Sequence, residues 1–277
     1  MTANELAANM YYELVPMKGI DEAIQQLPPA STISVTCSPV KGIKVTMKHA
    51  EDLVAAGHTV IPHISARLAE STAHTAEIAD WIKRANFERI FLVAGDAPEP
   101  VGPYEGVVPF LHDLLSHDLV GVHIGVTAYP EGHALIADDV VAQALAEKQR
   151  LILEAGLTGS MTTQMCFDGG KIIDWLQAQR DAGITLPAVL GVPGVVSKIK
   201  LAKMGARLGL GPSLRYVSKN KASVTKLLAP GGFDPTELLD EIGPRAAELN
   251  VIATHSFTFN NVAATHGWQR NYLAQRS

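Results

Sequence analysis

Residues 91–100 read FLVAGDAPEP, and the order of residue types in this stretch decides the fold. Phe91, Leu92 and Val93 form an apolar run without polar alternation, the pattern of a strand covered on both faces, as in a parallel sheet under helices. Gly95 then permits a sharp turn or a close backbone approach, and Asp96 puts a carboxylate where the apolar run ends, ahead of a loop punctuated by Pro98 and Pro100. Polar chemistry gathered at one end of a buried strand is the mark of an α/β architecture with its site on the strand ends.

The same unit recurs on either side. Strands are expected at Tyr11–Val15, Thr32–Thr36, Thr59–Ile64, Arg89–Val93, His123–Ala128, Ser160–Gln164, Ala188–Gly191 and Val251–Phe259, eight in all. Between them, helices are expected at Met47–Ala56, Thr72–Ala85, Val107–Ser116, Ile136–Ala155, Lys171–Ala182, Val196–Met204 and Pro235–Leu249, with room for another around Ser213–Leu228. In the Ile136–Ala155 helix, Ile136, Val140, Val141, Ala144, Leu145 and Ile152 recur at the period of a core-facing stripe. No repeat, low-complexity tract or linker interrupts the series. Eight βα units predict a single-domain (β/α)8 TIM barrel over residues 1–277, with ligands at the C-terminal ends of the strands.

Composition agrees with that reading and excludes others. The 277 residues are 47% hydrophobic and 18% charged, enough apolar material for one large core. A formal net charge of −5 argues against a dedicated nucleic-acid binder, which needs a basic footprint. The N-terminal segment has neither a basic region nor an apolar core of a secretory signal, and no long uncharged apolar run predicts a membrane span. Two distant cysteines, Cys37 and Cys166, match no metal or redox spacing and fit free thiols in a reducing cytoplasm.

Polar residues at the expected strand ends are Glu13, Thr36, His63, Asp96, Tyr129 with His133, Gln164, and the pair Thr258 and Asn260. Glu13 interrupts an apolar strand. A carboxylate buried there is costly unless paired or protonated, which suits either a general acid or a salt bridge to a helix lysine. Asp96 reads as a ligand contact or as an Asx turn. Gln164 offers two hydrogen bonds to a flat heterocycle or ties down its own loop, and His133 is a phosphate or ribose contact or a surface residue. A zinc site built from His58 and His63 with Cys37 or Asp96 lacks any recognised ligand spacing, so no metal is expected. Rossmann, P-loop and nucleophile-elbow signatures are missing as well.

Seven blocks in order, YELVP (12–16), PHIS (62–65), AGD (94–96), TAYPEGH (127–133), LEAG (153–156), TTQMCFD (162–168) and FTFNN (257–261), resemble the methylenetetrahydrofolate reductase family over most of the chain. The resemblance implies reduction of 5,10-methylenetetrahydrofolate to 5-methyltetrahydrofolate with electrons from NADH or NADPH. Glu13 is similar to that family's catalytic acid, Asp96 and Gln164 to its pterin-binding residues, with Asn260 placed beside the substrate. Thr36, His63, Gly95, Tyr129 and His133 match positions lining the pocket of the flavin, FAD, in flavin-dependent members.

The chain departs from those members at the flavin itself. Ala94 stands where they carry arginine, and Leu145, Lys148, Leu151 and Ile152 stand where polar residues reach the ribityl chain and diphosphate. Lys148, or Arg150 one register away, is left to meet a phosphate. Losing several charge-assisted hydrogen bonds of roughly 1.5–3 kcal/mol each weakens flavin retention by orders of magnitude. The reading is therefore a flavin-independent, cytoplasmic reductase of one-carbon metabolism and methionine biosynthesis, in which an oligomer is allowed. An FAD-dependent reductase, a folate-dependent methyl-transfer protein and a folate-binding protein on the same barrel are the alternatives.

Overall fold

The computed structural model describes residues 1–196 and 233–276. Its eight strands are β1 Met10–Leu14, β2 Thr32–Val35, β3 Thr59–Ser65, β4 Arg89–Val93, β5 His123–Ala128, β6 Gly159–Thr163, β7 Ala188–Pro193 and β8 Val251–Phe257. They pair in chain order into a closed parallel barrel. Closure runs through Tyr11, which stands opposite Thr32 on β2 and His255 on β8. The expected (β/α)8 barrel is the fold observed.

Among the described residues the helices are α1 Ala3–Ala8, α2 Ile20–Gln25, α3 Gly42–Ala55, α4 Thr72–Arg84, α5 Val107–Leu114, α6 Asp138–Glu154, α7 Gly169–Asp181, α8 Thr236–Ile242 and α9 Val262–Ala274. Local chemistry starts several of them. Ser71 accepts a hydrogen bond from the His74 N–H ahead of α4, and Asp168 accepts one from the Lys171 N–H ahead of α7. Gly156 follows α6 at φ +69°, the left-handed turn that gives the LEAG block its glycine. No helix among the described residues is long and apolar enough to cross a membrane.

Two layers of core hold the barrel. The larger lies between strands and helices and includes Leu14, Ile33, Ile64, Leu92 and Ile124 with Leu53, Ile78, Phe110 and Ile152. The smaller fills the barrel with Tyr11, Ile61, Phe91, Val189 and Ala253. This inner belt closes the barrel beneath the strand ends, so Glu13, His63 and His255, two residues past Tyr11, Ile61 and Ala253 on their strands, sit on an apolar floor.

Several boundaries differ from expectation. α6 begins at Asp138, and Ile136 and Val140 are 41% and 49% exposed rather than part of the buried stripe. The buried face is Leu145, Lys148, Leu151 and Ile152, because only the second half of the helix lies against the sheet. The helix expected over Pro235–Leu249 is α8 followed by a short 3-10 turn at Gly243–Arg245. β8 stops at Phe257, since Phe259 and Asn260 adopt φ of +51° and +61° and turn the chain. α1, α2 and α9 are additional. The expected helix at Val196–Met204, after its first residue, and that around Ser213–Leu228 lie outside the described residues.

Candidate active site

Glu13 lies on β1 and His255 on the adjoining strand β8, both buried, with Nε2 of His255 3.0 Å from Oε2 of Glu13. The backbone around Glu13 is fixed independently. The hydroxyl of Thr258 donates to the Glu13 carbonyl, and the Asn260 amide both donates to the Val15 carbonyl and accepts from the Val15 N–H, each at 2.9 Å. Asn261 reaches the other way and donates to the Val195 carbonyl after β7, also at 2.9 Å. The FTFNN block thus clasps the strands on both sides of β8, which explains a polar run directly after a buried strand. Asn260, expected at the substrate, spends both ends of its amide on Val15.

His63 extends the cluster from β3. Its Nε2 is 2.6 Å from the Ser34 hydroxyl, and its ring centroid is 4.7 Å from Phe91 and 5.9 Å from His255. Burial, with a smaller contribution from the charge of His255, holds His63 well below the ordinary histidine range. Phe257 covers His255 from the far side at 5.0 Å. Donor atoms of Glu13, His63 and His255 lie within 4.8 Å of one another, a set that a divalent ion can use. As it stands, Nε2 of His63 faces Ser34 and Nε2 of His255 faces Glu13. The arrangement is an acid paired with one imidazole and flanked by a second. His58, by contrast, precedes β3 at the opposite mouth, where its Nδ1 accepts from the Ser31 N–H at 3.2 Å, so His58 and His63 share no site.

Around this floor stand the other expected residues. Thr36 and Gln164 each lie one residue past their strands, and backbone ladders hold both: Thr36 N–H to Leu14 O at 2.9 Å, Gln164 N–H to Ala128 O at 2.7 Å. Oε1 of Gln164 accepts from the Met165 N–H at 2.8 Å. Asp96 is exposed at the end of β4. Gly95 before it is at φ +95°, and a Cβ there would lie 1.9 Å from Oγ of Ser65, the hydroxyl that donates to the Ala94 carbonyl. PHIS and AGD are therefore one interlocked turn. Arg67 fixes the loop after Asp96, donating to the carbonyls of Ala97, Pro98 and Glu105 at 2.8–3.0 Å.

Tyr129 and His133 meet edge to face at 5.0 Å, and burial, with the nearby Asp96 charge adding to it, raises the phenol of Tyr129 above its usual range. On the neighbouring helix α6, Lys148 is buried, its Nζ 2.9 Å from the Thr127 carbonyl and 3.5 Å from the Thr127 hydroxyl. Burial brings its ammonium down to about 8. Leu145, Leu151 and Ile152, at the other family positions for the flavin, are packed into the barrel–helix core. Their apolar side chains offer no polar atom to a diphosphate.

Sequence reasoning passed over His255. The signal was available in the alternation of ATHSF, which places Ala253, His255 and Phe257 on one face of β8, the face that Ala253 turns into the barrel core.

A closed parallel barrel with a buried carboxyl near the C-terminal strand ends and polar residues past several of them is the arrangement in which (β/α)8 enzymes hold their ligands. The chain belongs to the methylenetetrahydrofolate reductase family: the model of that family, methylenetetrahydrofolate reductase, matches residues 21–209. Among solved structures, the chain is similar to an uncharacterized protein from Clostridium thermocellum that binds two copies of 5-methyl-5,6,7,8-tetrahydrofolic acid. That match has a TM-score of 0.63 and 11% identity over 96% of this chain and 95% of that one. A candidate phosphonomutase from Burkholderia cenocepacia matches at TM-score 0.50 and 12% identity, over 99% of this chain and 97% of its own. These two likenesses speak for the barrel alone.

Proposed function

We propose that the chain reduces 5,10-methylenetetrahydrofolate to 5-methyltetrahydrofolate by direct hydride transfer from NADH or NADPH, without an intervening flavin. Carrying this reading is one observation: within a member of this family, the buried carboxyl of Glu13 sits on an apolar floor under the rim formed by Asp96, Tyr129 and Gln164. The folate found on the Clostridium thermocellum barrel is in keeping with it.

Each residue has a role in this scheme. Asp96 accepts hydrogen bonds from the pterin ring, and Gln164 makes a two-point amide contact to it. Glu13 gives its proton to one nitrogen of the imidazolidine ring, the bond from the bridging carbon to that nitrogen breaks, and an iminium forms at the other nitrogen. The reduced nicotinamide supplies the hydride that this iminium accepts. Thr36, Gly95, Tyr129 and His133 line its place, with His63 beneath. Among the described residues, Lys148, held at Thr127 near the end of β5, is a buried cation able to meet a phosphate of the dinucleotide.

Absence of the flavin rests on Leu145, Leu151 and Ile152 being core residues and on Ala94 standing for arginine. Anaerobic turnover with each nicotinamide, using protein checked for visible flavin absorbance, tests the reading. Oxidation of NAD(P)H in step with formation of the 5-methyl product by flavin-free protein is expected. Activity that appears only when FAD is added overturns it.

A further inference from the structure

We propose that His255 is the positioning partner of Glu13, holding Oε2 of the acid so that Oε1 carries the transferred proton. The proposal rests on the reductase reading and extends it to a residue that reading does not use. Its basis is geometric. Nε2 of His255 is 3.0 Å from Oε2 of Glu13, and the two side chains are only 5% and 7% exposed. Among the described residues this is the single side-chain hydrogen bond Glu13 makes, and no lysine or arginine pairs with it. The His255 ring cannot drift, being set among Phe91 at 6.2 Å, Phe257 at 5.0 Å and His63 at 5.9 Å.

The chemistry is set by which atoms are occupied. With its proton on Nε2, the imidazole donates to Oε2, and the acidic hydrogen sits on Oε1. When the folate nitrogen takes that proton, the O–H bond breaks, an N–H bond forms, and the electron pair stays on the carboxylate. No redox change occurs in this step. The charge appears in a buried site, where a donor already in place stabilises it more than solvent would. His255 therefore lowers the barrier to proton donation while touching neither the folate nor the nicotinamide.

The test compares wild type with His255→Phe, which keeps aromatic packing and loses the donor, and with His255→Gln, which keeps an N–H donor. His255→Phe is expected to lower kcat by roughly ten- to a hundredfold. Its affinity for 5-methyltetrahydrofolate stays within about threefold and its solvent deuterium isotope effect on kcat increases. His255→Gln recovers most of the rate. His255→Leu serves in the same comparison if the phenylalanine variant does not fold. Wild type that oxidises no NAD(P)H refutes the reductase reading and this proposal together. Wild-type turnover with kcat unchanged in the donor-less variant, or with His255→Gln as slow as that variant, overturns the proposal alone.

Discussion

As the proposed proton donor, Glu13 needs burial, a fixed backbone and an oxygen left for the substrate. β1, the Thr258 and Asn260 clasps and His255 supply them in turn. Glu13→Gln keeps the shape and removes the proton, so kcat should fall by roughly 10²–10⁴-fold. Folate affinity measured by titration should be largely kept. A turnover near wild type would assign proton donation elsewhere. Gly95 is constrained twice, by its φ of +95° and by Ser65. Gly95→Ala should cost roughly 1–3 kcal/mol in denaturant unfolding, and adding Ser65→Ala should recover only the part due to the clash. At Lys148 the folded state holds its proton less tightly than the unfolded chain, about 8 against 10.5. Between those values the unfolded chain binds more protons, so stability rises with pH across that window. Lys148→Met should abolish the rise and add up to roughly 3 kcal/mol near neutrality. Unfolding midpoints at neutral and alkaline pH check both.

Among the elements, α6 shows where a sequence pattern misleads. Its apolar residues continue the helical period back to Ile136, but burial begins only where the helix meets the sheet, at Leu145. Ile136→Ser and Val140→Ser should each change stability by less than about 0.5 kcal/mol, whereas Ile152→Ala, fully buried, should cost roughly 2–5 kcal/mol. Chemical denaturation of the three variants separates the two pictures. Short helices escaped notice for a different reason: α1 and α2 are six residues each, too brief for a period to register. α9 is longer, but its buried face is Val262, Thr265 and Tyr272, which does not read as an apolar stripe.

At the scale of the whole molecule, the barrel was legible because short β-rich runs alternate with amphipathic stretches eight times along the chain. The positions of Thr36, Asp96 and Gln164 just past their strands were legible from where the β-rich runs stop. Less of the site could be read, since a clasp and a ligand contact use the same side chains: Asn260 turned out to hold Val15, and His255 looked like an ordinary strand residue between Thr254 and Ser256. Distinguishing them takes the third dimension. Direct hydride transfer fixes the fate of the hydride, which can be followed by isotope. NADH and NADPH, each deuterated on the transferred face of the nicotinamide, are turned over anaerobically with methylenetetrahydrofolate, and the product is examined by mass spectrometry. One deuterium retained in the 5-methyl group is expected. Product whose methyl group has lost the label to solvent, as exchange at a reduced flavin would cause, contradicts it.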